Sequence, residues 1–557
     1  MNELFIIPIA WSLLIAVHSN AQSVDAQPAW ATPPRLVVGV VVDQMRTDQI
    51  YRYWKNFEDD GFKRLVTQGA FLRDAHYNYA PTLTGPGHAS IYTGTTPAHH
   101  GIIGNNMYVR GTGSSLYCAQ DDGALCVGDE DHAGKRSPAN LLSSTLADEL
   151  ERATARRSKT IGIAWKDRGA ILPIGRTGDA AYWGGEGTKG HWVTSDWYMS
   201  ELPQWVKDLN ARGLVAEYLD RPWELMLPLE HYTQLHADAN PYEIPLPGAQ
   251  QATLPQDLGI LFAASGNNTA LMRYVPWGNT FTTDMALEAL KHEELGMDEV
   301  TDLLCISYSA TDELGHLMGI RALEMEDMYI RLDREIARLL KALDAQVGSE
   351  NYTLFLTSDH GVADVPALMK DLKGSAGYIN AGELTAELEA ELSRKFAPGK
   401  WVSRIINEQV YLNDTLITAL ELDPAIVQRY VAEILMRDEG IAIALTANDL
   451  QRQNYTDMVR GNVQRGYMPQ RSGDVCFVLR PGHIDPKSWA RGHGTEHGSS
   501  WTYDTHVPIV FFGRGVEKGE VLRRTSITDI APTISMIIGI TMPDAATGNV
   551  VQEVLGR

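Results

Sequence analysis

Two short strings place an aspartate and a histidine at spacings that suit metal coordination. Asp312 and His316 stand four residues apart in T-D-E-L-G-H, so both side chains share one face if the segment is helical. Asp359 and His360 are adjacent in S-D-H-G, after the apolar run Y-T-L-F-L-T. Neighbouring ligands at a strand end can serve one metal ion or two. Each string also has an ordinary reading, as a helix cap with a surface histidine or as a turn.

Two further residues could complete a ligand set. Asp43 directly follows an apolar run in V-V-V-D-Q-M, although an N-cap role explains it equally well. His497 lies in the glycine-rich string G-T-E-H-G-S-S, which lets an imidazole reach a metal without crowding, or leaves it exposed in a loop. Three aspartates and three histidines match the nitrogen and oxygen preference of Zn²⁺ and leave open positions for catalysis.

Thr84 is the candidate nucleophile. It begins T-G-P-G-H-A-S-I-Y-T-G, where the glycines and the proline allow a tight turn into a helix. The alternative is that Thr84 only caps that helix, and this segment alone favours the cap. A zinc ion changes the balance, because it can hold the hydroxyl as an alkoxide at neutral pH.

Four β-rich apolar runs must position these residues, and each stops at a polar residue. The runs span 36–42, 160–165, 303–309 and 352–357, and they suit strands that are buried on both faces. Ligands of open α/β sheets bind beyond the carboxyl ends of the strands, so the following aspartates should share one crevice. Helical patterns alternate with the runs, most clearly over 322–347. We therefore predict an α/β fold with a mostly parallel central sheet flanked by helices on both faces.

The N-terminal segment 1–21 is predicted to be a signal peptide. Its apolar run from Leu4 to Val17 is short for a membrane span, and Ser19-Asn20-Ala21 makes a passable cleavage site. The segment carries Glu3 and no Lys or Arg, and the alternative is an uncleaved anchor. Residues 22–557 are predicted to form a single catalytic domain, with insertions at about 169–300 and 370–490 that cap the crevice.

Charge and cysteine content limit the function classes. The chain of 557 residues has a formal net charge of −22 and no run of five Lys or Arg, which argues against a nucleic-acid or anionic-membrane surface. An anionic substrate would have to be attracted locally, and bound metal cations would do this. Cys118 and Cys126 could pair in an oxidising compartment, whereas Cys305 and Cys476 lie in apolar runs and are predicted to be buried thiols.

The order of these strings resembles the alkaline phosphatase superfamily, specifically its single-domain bacterial, phosphate-irrepressible branch with a threonine nucleophile. The resemblance rests on Asp43, T-x-T-G-P-G-H, G-I-I-G-N-N, K-D-R, D-x-x-x-H, S-D-H-G and T-E-H-G in this order, and it spans nearly the whole mature chain. The late string T-D-I-A-P-T-I resembles the closing helix of the superfamily.

The resemblance implies two Zn²⁺ ions per chain and divides the ligands between them. One ion would be held by Asp312, His316 and His497. The other would be held by Asp43, Asp359, His360 and the Thr84 oxygen.

The resemblance also implies a phosphate clamp made of Asn105, Lys166 and Arg168. The neighbouring Asn106 leaves an ambiguity of one residue, which we resolve for Asn105 because it directly follows G-I-I-G. Three nearby histidines match no ligand position and are interpreted as structural: His88, His99 and His100.

The charges of the implied site favour a phosphate monoester. Three aspartates and a Thr84 alkoxide balance two Zn²⁺, so Lys166 and Arg168 match a monoester dianion better than a singly charged diester. We expect an exported, periplasmic or secreted, monomeric alkaline phosphatase that releases inorganic phosphate through a phosphothreonine intermediate. The alternatives are a phosphodiesterase or nucleotide pyrophosphatase with the same metal core, and a non-catalytic exported zinc-binding protein.

Overall fold

The computed structural model describes residues 32–128, 132–184, 189–233, 237–456, 458–486, 490 and 492–555. The predicted signal peptide, 1–21, lies outside these ranges. None of the helices in these ranges is long and apolar enough to cross a bilayer.

A ten-stranded mixed sheet forms the centre of the molecule. From one edge to the other its strands are Gly519–Val521, Ala70–Leu72, Ile509–Gly513, Tyr352–Thr357, Leu36–Val42, Asp302–Tyr308, Thr160–Ala164, Ala180–Gly184, Trp192–Ser195 and Cys126–Val127. The five strands from Tyr352–Thr357 to Ala180–Gly184 run parallel. Antiparallel pairing begins on either side of them. The predicted α/β class is confirmed, and the parallel part of the sheet is its centre.

The central strand, Leu36–Val42, explains why these sequences read as unbroken apolar runs. All seven residues are buried, and alternate side chains enter two different cores on opposite faces of the sheet. Gly39 is needed here, because a Cβ atom at this position would lie 2.3 Å from the Tyr92 hydroxyl and 2.7 Å from the Phe355 ring.

Helices cover both faces of the sheet. Trp277–His292 and Leu323–Gln346 pack in the core on one face, and Thr84–Thr93, Asp167–Ile174 and Ile530–Ile538 pack in the core on the other. The remaining helices of eight or more residues are Leu146–Ala153, Gln204–Ala211, Ala310–Met318, Ala381–Lys395, Pro424–Leu435 and Met458–Gly466. Shorter helices are Thr47–Tyr53, Phe62–Gln68, Pro97–His100, Leu214–Leu219, Leu258–Ala264, Pro366–Asp371, Asp414–Ala419, Ala447–Arg452 and Thr502–Thr505.

The strongest sequence patterns are confirmed to within one or two residues. Two predicted strands are found as Leu36–Val42 and Tyr352–Thr357, and the long helical pattern is found as Leu323–Gln346. The D-x-x-x-H string is helical, within Ala310–Met318. The string resembling a closing helix runs into Ile530–Ile538.

A second, antiparallel sheet lies within the predicted insertion at 370–490, and we call it the small sheet. Its strands, in order, are Val402–Ile406, Gln409–Leu412, Val475–Leu479 and Ile441–Thr446. It has its own apolar core with the helices Ala381–Lys395 and Pro424–Leu435. Two-stranded pairs are Pro222–Trp223 with Gln256–Asp257, Gly377–Tyr378 with His483–Ile484, Thr525–Ser526 with Ala75–His76, and Asn106–Val109 with Ser114–Tyr117.

The cysteines stand as thiols in the described part of the chain. No disulfide joins Cys118 to Cys126, and burial raises the pKa of the Cys118 thiol to about 12. Cys305 and Cys476 are buried, as predicted from their apolar flanks.

The strand Tyr352–Thr357 should be sensitive to loss of packing, because it carries Asp359 and His360 just beyond its end. Leu354 is fully buried, so Leu354→Ala should lower the free energy of unfolding by about 2–5 kcal/mol. Leu522 is 69% exposed, and the matched control Leu522→Ala should change it by less than about 0.5 kcal/mol. Urea denaturation of the two variants measures the difference, and equal effects would contradict the assigned core.

Candidate active site

The predicted ligand residues meet at the carboxyl edge of the parallel strands. Asp43 follows the central strand, and its backbone N–H donates to the Tyr308 carbonyl at the end of the neighbouring strand. Asp312 lies in the first turn of the helix that follows Tyr308, and Asp359 follows the strand on the other side. All three carboxylates are buried, with exposures of 0% for Asp43 and Asp359 and 3% for Asp312.

Asp312, His316 and His497 form one group of possible ligands. Their ligand atoms all lie within 4.8 Å of one another. Oδ1 of Asp312 is 3.2 Å from Nε2 of His316 and 3.6 Å from Nε2 of His497. The helical spacing therefore presents Asp312 and His316 together, and the glycine-rich loop brings His497 to them.

Asp43, Asp359 and His360 lie beside this group. Nε2 of His360 is 3.5 Å from Oδ1 of Asp43 and 3.5 Å from Oδ2 of Asp359. Asp312 also has an atom within 4.8 Å of Asp43 and His360, so it stands between the two groups. The resemblance assigned Asp312 to the first group alone, but in the structure Asp312 also lies close to the second group.

Two imidazoles of the site are stacked. The His360 and His497 rings lie 3.5 Å apart with an angle of 12° between their planes. Ring nitrogens bind metals in the plane of the ring, and two nearly parallel planes do not converge on one point. A single ion could therefore not lie in the plane of both rings.

Backbone carbonyls fix the orientation of the three histidines. Nδ1 of His316 donates to the Thr495 carbonyl at 3.0 Å, and Nδ1 of His360 donates to the Gly361 carbonyl at 2.9 Å. Nδ1 of His497 donates to Thr82 O at 2.8 Å. In His360 and His497, whose pKa values burial lowers, this leaves Nε2 as the lone-pair nitrogen that faces the aspartates. For His316, Asp312 and Glu496 outweigh burial and raise the pKa to about 10. A carbonyl that accepts from the second ring nitrogen is the usual support for a metal-binding histidine.

The buried carboxylates of the second group would be stabilised by a bound cation. Oδ1 of Asp43 and Oδ2 of Asp359 are buried and have no hydrogen-bond partner among the described residues. Burial, reinforced by Asp312, raises the pKa of Asp43 to about 6, and burial with Asp43 raises the pKa of Asp359 well above its usual range. Burial lowers the pKa of His360 well below its usual range, so that ring is neutral. Three electron-pair donors thus face one another, an arrangement that a metal ion would stabilise.

The Lys166 ammonium group contacts an aspartate of each group. Its Nζ donates to Oδ2 of Asp43 at 2.7 Å, makes a closer contact with Oδ2 of Asp312, and lies 3.8 Å from Glu313. The side chain is buried, and these carboxylates outweigh burial and raise its pKa. One ammonium group does not balance the charge of the three aspartates.

Thr84 is the first residue of the helix Thr84–Thr93 and not its cap. Leu83 occupies the N-cap position, and no side chain there caps the helix. The Thr84 hydroxyl is 3.4 Å from Nε2 of His360 and accepts from Nη2 of Arg168 at 3.3 Å. Gly87 allows the helix to come this close, because a Cβ atom there would lie 2.4 Å from the Asp359 carbonyl oxygen.

Asn105 contacts the N-terminus of the helix that Thr84 begins, and Arg168 contacts the Thr84 hydroxyl. Oδ1 of Asn105 accepts from the Gly85 backbone N–H at 2.7 Å. Asn106 is exposed and begins a surface strand, so Asn105 is the asparagine at the helix N-terminus. Nη1 of Arg168 donates to the Tyr117 hydroxyl at 3.2 Å, which holds the guanidinium across the site.

Two residues that orient the site were not identified from the sequence, Gln44 and Tyr117. Gln44 donates from Nε2 to Oδ1 of Asp312 at 2.6 Å and from its backbone N–H to Oδ1 of Asp359 at 3.1 Å. It does so with φ of 67°, a left-handed conformation that is unfavourable for a residue with a side chain. Its place directly after Asp43 was a usable signal, but no spacing rule identifies the left-handed turn. Tyr117, which holds Arg168, ends the strand Ser114–Tyr117, and no motif in the sequence pointed to it.

His88 remains interpreted as structural. Its Nδ1 donates to the Thr84 carbonyl at 2.9 Å and lies 3.5 Å from Oδ2 of Asp359. Its Nε2 is paired with the Ser307 hydroxyl at 2.8 Å. Burial lowers its pKa to about 3, so the ring is neutral.

Gln44 should control how firmly the site holds metal. Gln44→Gly removes the amide that orients Asp312 but accepts the positive φ, so metal retention should weaken by about 10- to 100-fold without loss of folding stability. Metal remaining after dialysis against graded chelator, together with the urea midpoint, measures both quantities. Gln204 also donates to an aspartate, on the surface, and Gln204→Ala is the control. Equal metal retention in both variants would contradict the positioning role.

The chain is similar to known proteins over most of its length. Residues 37–500 match the family model described as type I phosphodiesterase/nucleotide pyrophosphatase. A Myroides odoratus protein named calcium-transporting ATPase is 41% identical over 524 residues, covering 94% of this chain and 95% of the relative. Alkaline phosphatase PafA of Elizabethkingia meningoseptica is 36% identical over 555 residues, covering 99% of this chain and 100% of the relative.

Solved structures extend the likeness to the fold. The crystal structure of wild-type PafA has a TM-score of 0.90 at 36% identity, covering 94% of this chain and 99% of that one. A structure of a PafA variant, with a threonine, an asparagine, a lysine and an arginine replaced, has a TM-score of 0.89 at 35% identity over the same shares. This chain belongs to the type I phosphodiesterase/nucleotide pyrophosphatase family of the alkaline phosphatase superfamily.

Proposed function

We propose that this phosphatase is a two-zinc alkaline phosphatase that hydrolyses phosphate monoesters through a phosphorylated Thr84. The observation that supports the proposal is the paired set of possible ligands, in which Asp312 stands between two groups and the His360 and His497 rings are stacked. Relatives named alkaline phosphatase match the chain over nearly its whole length, which supports the enzyme class.

The donor set supports zinc as the metal. Carboxylate oxygens and neutral imidazole nitrogens are its usual ligands, and catalytic zinc sites keep an open position. Asp312, His316 and His497 would hold one ion, and Asp43, Asp359 and His360 the other. When bound, the two ions supply positive charge at the entering and leaving oxygens and make a hydroxyl group more acidic.

The residues of the chain perform the rest of the reaction. Oγ1 of Thr84 attacks phosphorus in line and forms a phosphothreonine, while the alcohol departs on the side of Asp312 and His497. A water molecule then attacks phosphorus from the vacated side, which releases inorganic phosphate and restores the threonine hydroxyl. The balance is one ester and one water consumed for one alcohol and one phosphate.

The proposed phosphate clamp consists of Asn105, Lys166 and Arg168. Arg168 already contacts the Thr84 hydroxyl, and Asn105 lies at the same helix N-terminus. Two metal ions would take over the carboxylates of Asp43 and Asp312, which would turn the Lys166 ammonium toward a bound phosphate. Fixed donors of this kind act mainly by positioning and charge in phosphoryl transfer. The PafA variant described above replaces the same four residue types as this clamp and nucleophile.

The second candidate is a phosphodiesterase or nucleotide pyrophosphatase, since the matching family model carries those names. Both activities would use the same metal core. The two cations Lys166 and Arg168 favour the monoester, because a monoester carries one more negative charge than a diester.

The proposed enzyme acts after export, as a monomer in the periplasm or outside the cell. This placement rests on the predicted signal peptide, 1–21. Its substrates are small phosphate monoesters.

Thr84→Ala tests the nucleophile. Turnover of a chromogenic phosphate monoester should fall by about 10⁴-fold or more, because no hydroxyl remains to attack phosphorus. Metal analysis should still find two zinc ions per chain, since six protein ligands remain. Thr93 ends the same helix and is also buried, and Thr93→Ala should keep turnover. Retained turnover in Thr84→Ala would remove the residue from this role, and loss of zinc would make it structural.

The double variant Lys166→Ala, Arg168→Ala separates the two candidate activities. Monoester kcat/KM should fall by about 10²–10³ for each lost donor, and diester kcat/KM should fall much less. The surface pair Lys207→Ala, Arg212→Ala serves as the control for charge alone. Zinc content is measured in parallel, and an equal loss on both ester types at unchanged zinc would defeat the preference for monoesters.

A further inference from the structure

A cavity of about 220 Å³ lies between the small sheet and the loops of the active site. Its lining includes His497 and Leu83, the residue directly before Thr84. The volume is several times the roughly 30 Å³ share of one water in the liquid, so the cavity can hold a small organic group. It adjoins the side of the site from which the alcohol is proposed to depart.

A hairpin of the small sheet forms one wall of this cavity. Asn407 and Glu408 form the two-residue turn between Val402–Ile406 and Gln409–Leu412, both with φ of 53°. Nδ2 of Asn407 donates to the Asn106 carbonyl at 2.8 Å, beside the proposed phosphate clamp. The turn is thereby docked on the active-site loops, and Glu408 lines the cavity.

The cavity is acidic. Glu408, Asp485, Glu496 and Asp504 line it, and no Lys or Arg is among the described residues that do so. Asp504 is only 1% exposed, and its Oδ1 has no hydrogen-bond partner. Burial, reinforced by Asp485 and Asp504, raises the pKa of Glu408 to about 8. A cation in the cavity would favour the charged form of these carboxylates.

The arrangement suits an organic cation better than a metal ion. No three described acidic or histidine side chains of the lining have ligand atoms within 4.8 Å of one another, so they do not converge on one point. Aromatic rings of Tyr467, Phe477 and Tyr503 lie among them. Carboxylates dispersed around aromatic rings are the surroundings that an alkylammonium group prefers.

We propose that this cavity binds the ammonium group of an amino-alcohol leaving group, so that the enzyme prefers phosphate monoesters of small amino alcohols. This inference rests on the proposed function, because it identifies the alcohol of the same reaction. The phosphate would lie at Thr84, and the cationic tail would extend past His497 toward Glu408.

The test compares two esters of nearly equal shape, phosphocholine and its uncharged analogue 3,3-dimethylbutyl phosphate. The alcohols differ in acidity, so the informative quantity is how a variant changes the ratio of their kcat/KM values. Glu408→Gln should lower the ratio of phosphocholine to the analogue by about tenfold or more, because a buried charge pair loses one partner. Asp485→Asn is the second variant, and Glu433→Gln, at an exposed glutamate of the same region, should leave the ratio unchanged.

The outcomes distinguish the two proposals. A ratio that falls in both Glu408→Gln and Asp485→Asn, but not in Glu433→Gln, supports the cation pocket. A ratio that is the same in all variants, with a chromogenic monoester still hydrolysed, overturns the pocket and leaves the phosphatase in place. Failure of the zinc-loaded chain to hydrolyse any of the three esters overturns the proposed function itself.

Discussion

The mutual repulsion of three buried carboxylates is the constraint on which the rest of the site depends. Asp43, Asp312 and Asp359 project from neighbouring segments at one edge of the sheet, and burial makes their charges expensive to hold. The surrounding residues reduce the repulsion among the three carboxylates in several ways. Lys166 reaches both sides, Gln44 donates to Asp312 and Asp359, and His360 and His497 turn neutral nitrogens inward. A site of this kind is built to bind positive charge.

The sequence predicted those parts of the molecule that local rules determine. Unbroken apolar runs can be read as strands buried on both faces, and the four-residue spacing of Asp312 and His316 holds because that segment is helical. Asp359 and His360 follow a strand whose length is visible in the sequence. These features need no knowledge of distant residues.

Other parts depend on tertiary contacts that no local pattern carries. His497 reaches the site because its ring is held by the Thr82 carbonyl, 415 positions away. Gln44 matters because its backbone adopts a left-handed conformation between two strand ends. The antiparallel flanks of the main sheet are set by pairing between strands far apart in the chain, such as Ala70–Leu72 with Ile509–Gly513.

The hairpin turn at Asn407 and Glu408 belongs to a part of the chain with an apolar core of its own. The strands that end at the aspartates pack in two other cores, on opposite faces of the main sheet. Mutations in the small sheet can therefore accumulate without disturbing the packing of the strands that carry the aspartates. Chemistry and selectivity can diverge separately in such an architecture, so relatives could keep one reaction while adapting to different alcohols through the sequence of a single turn.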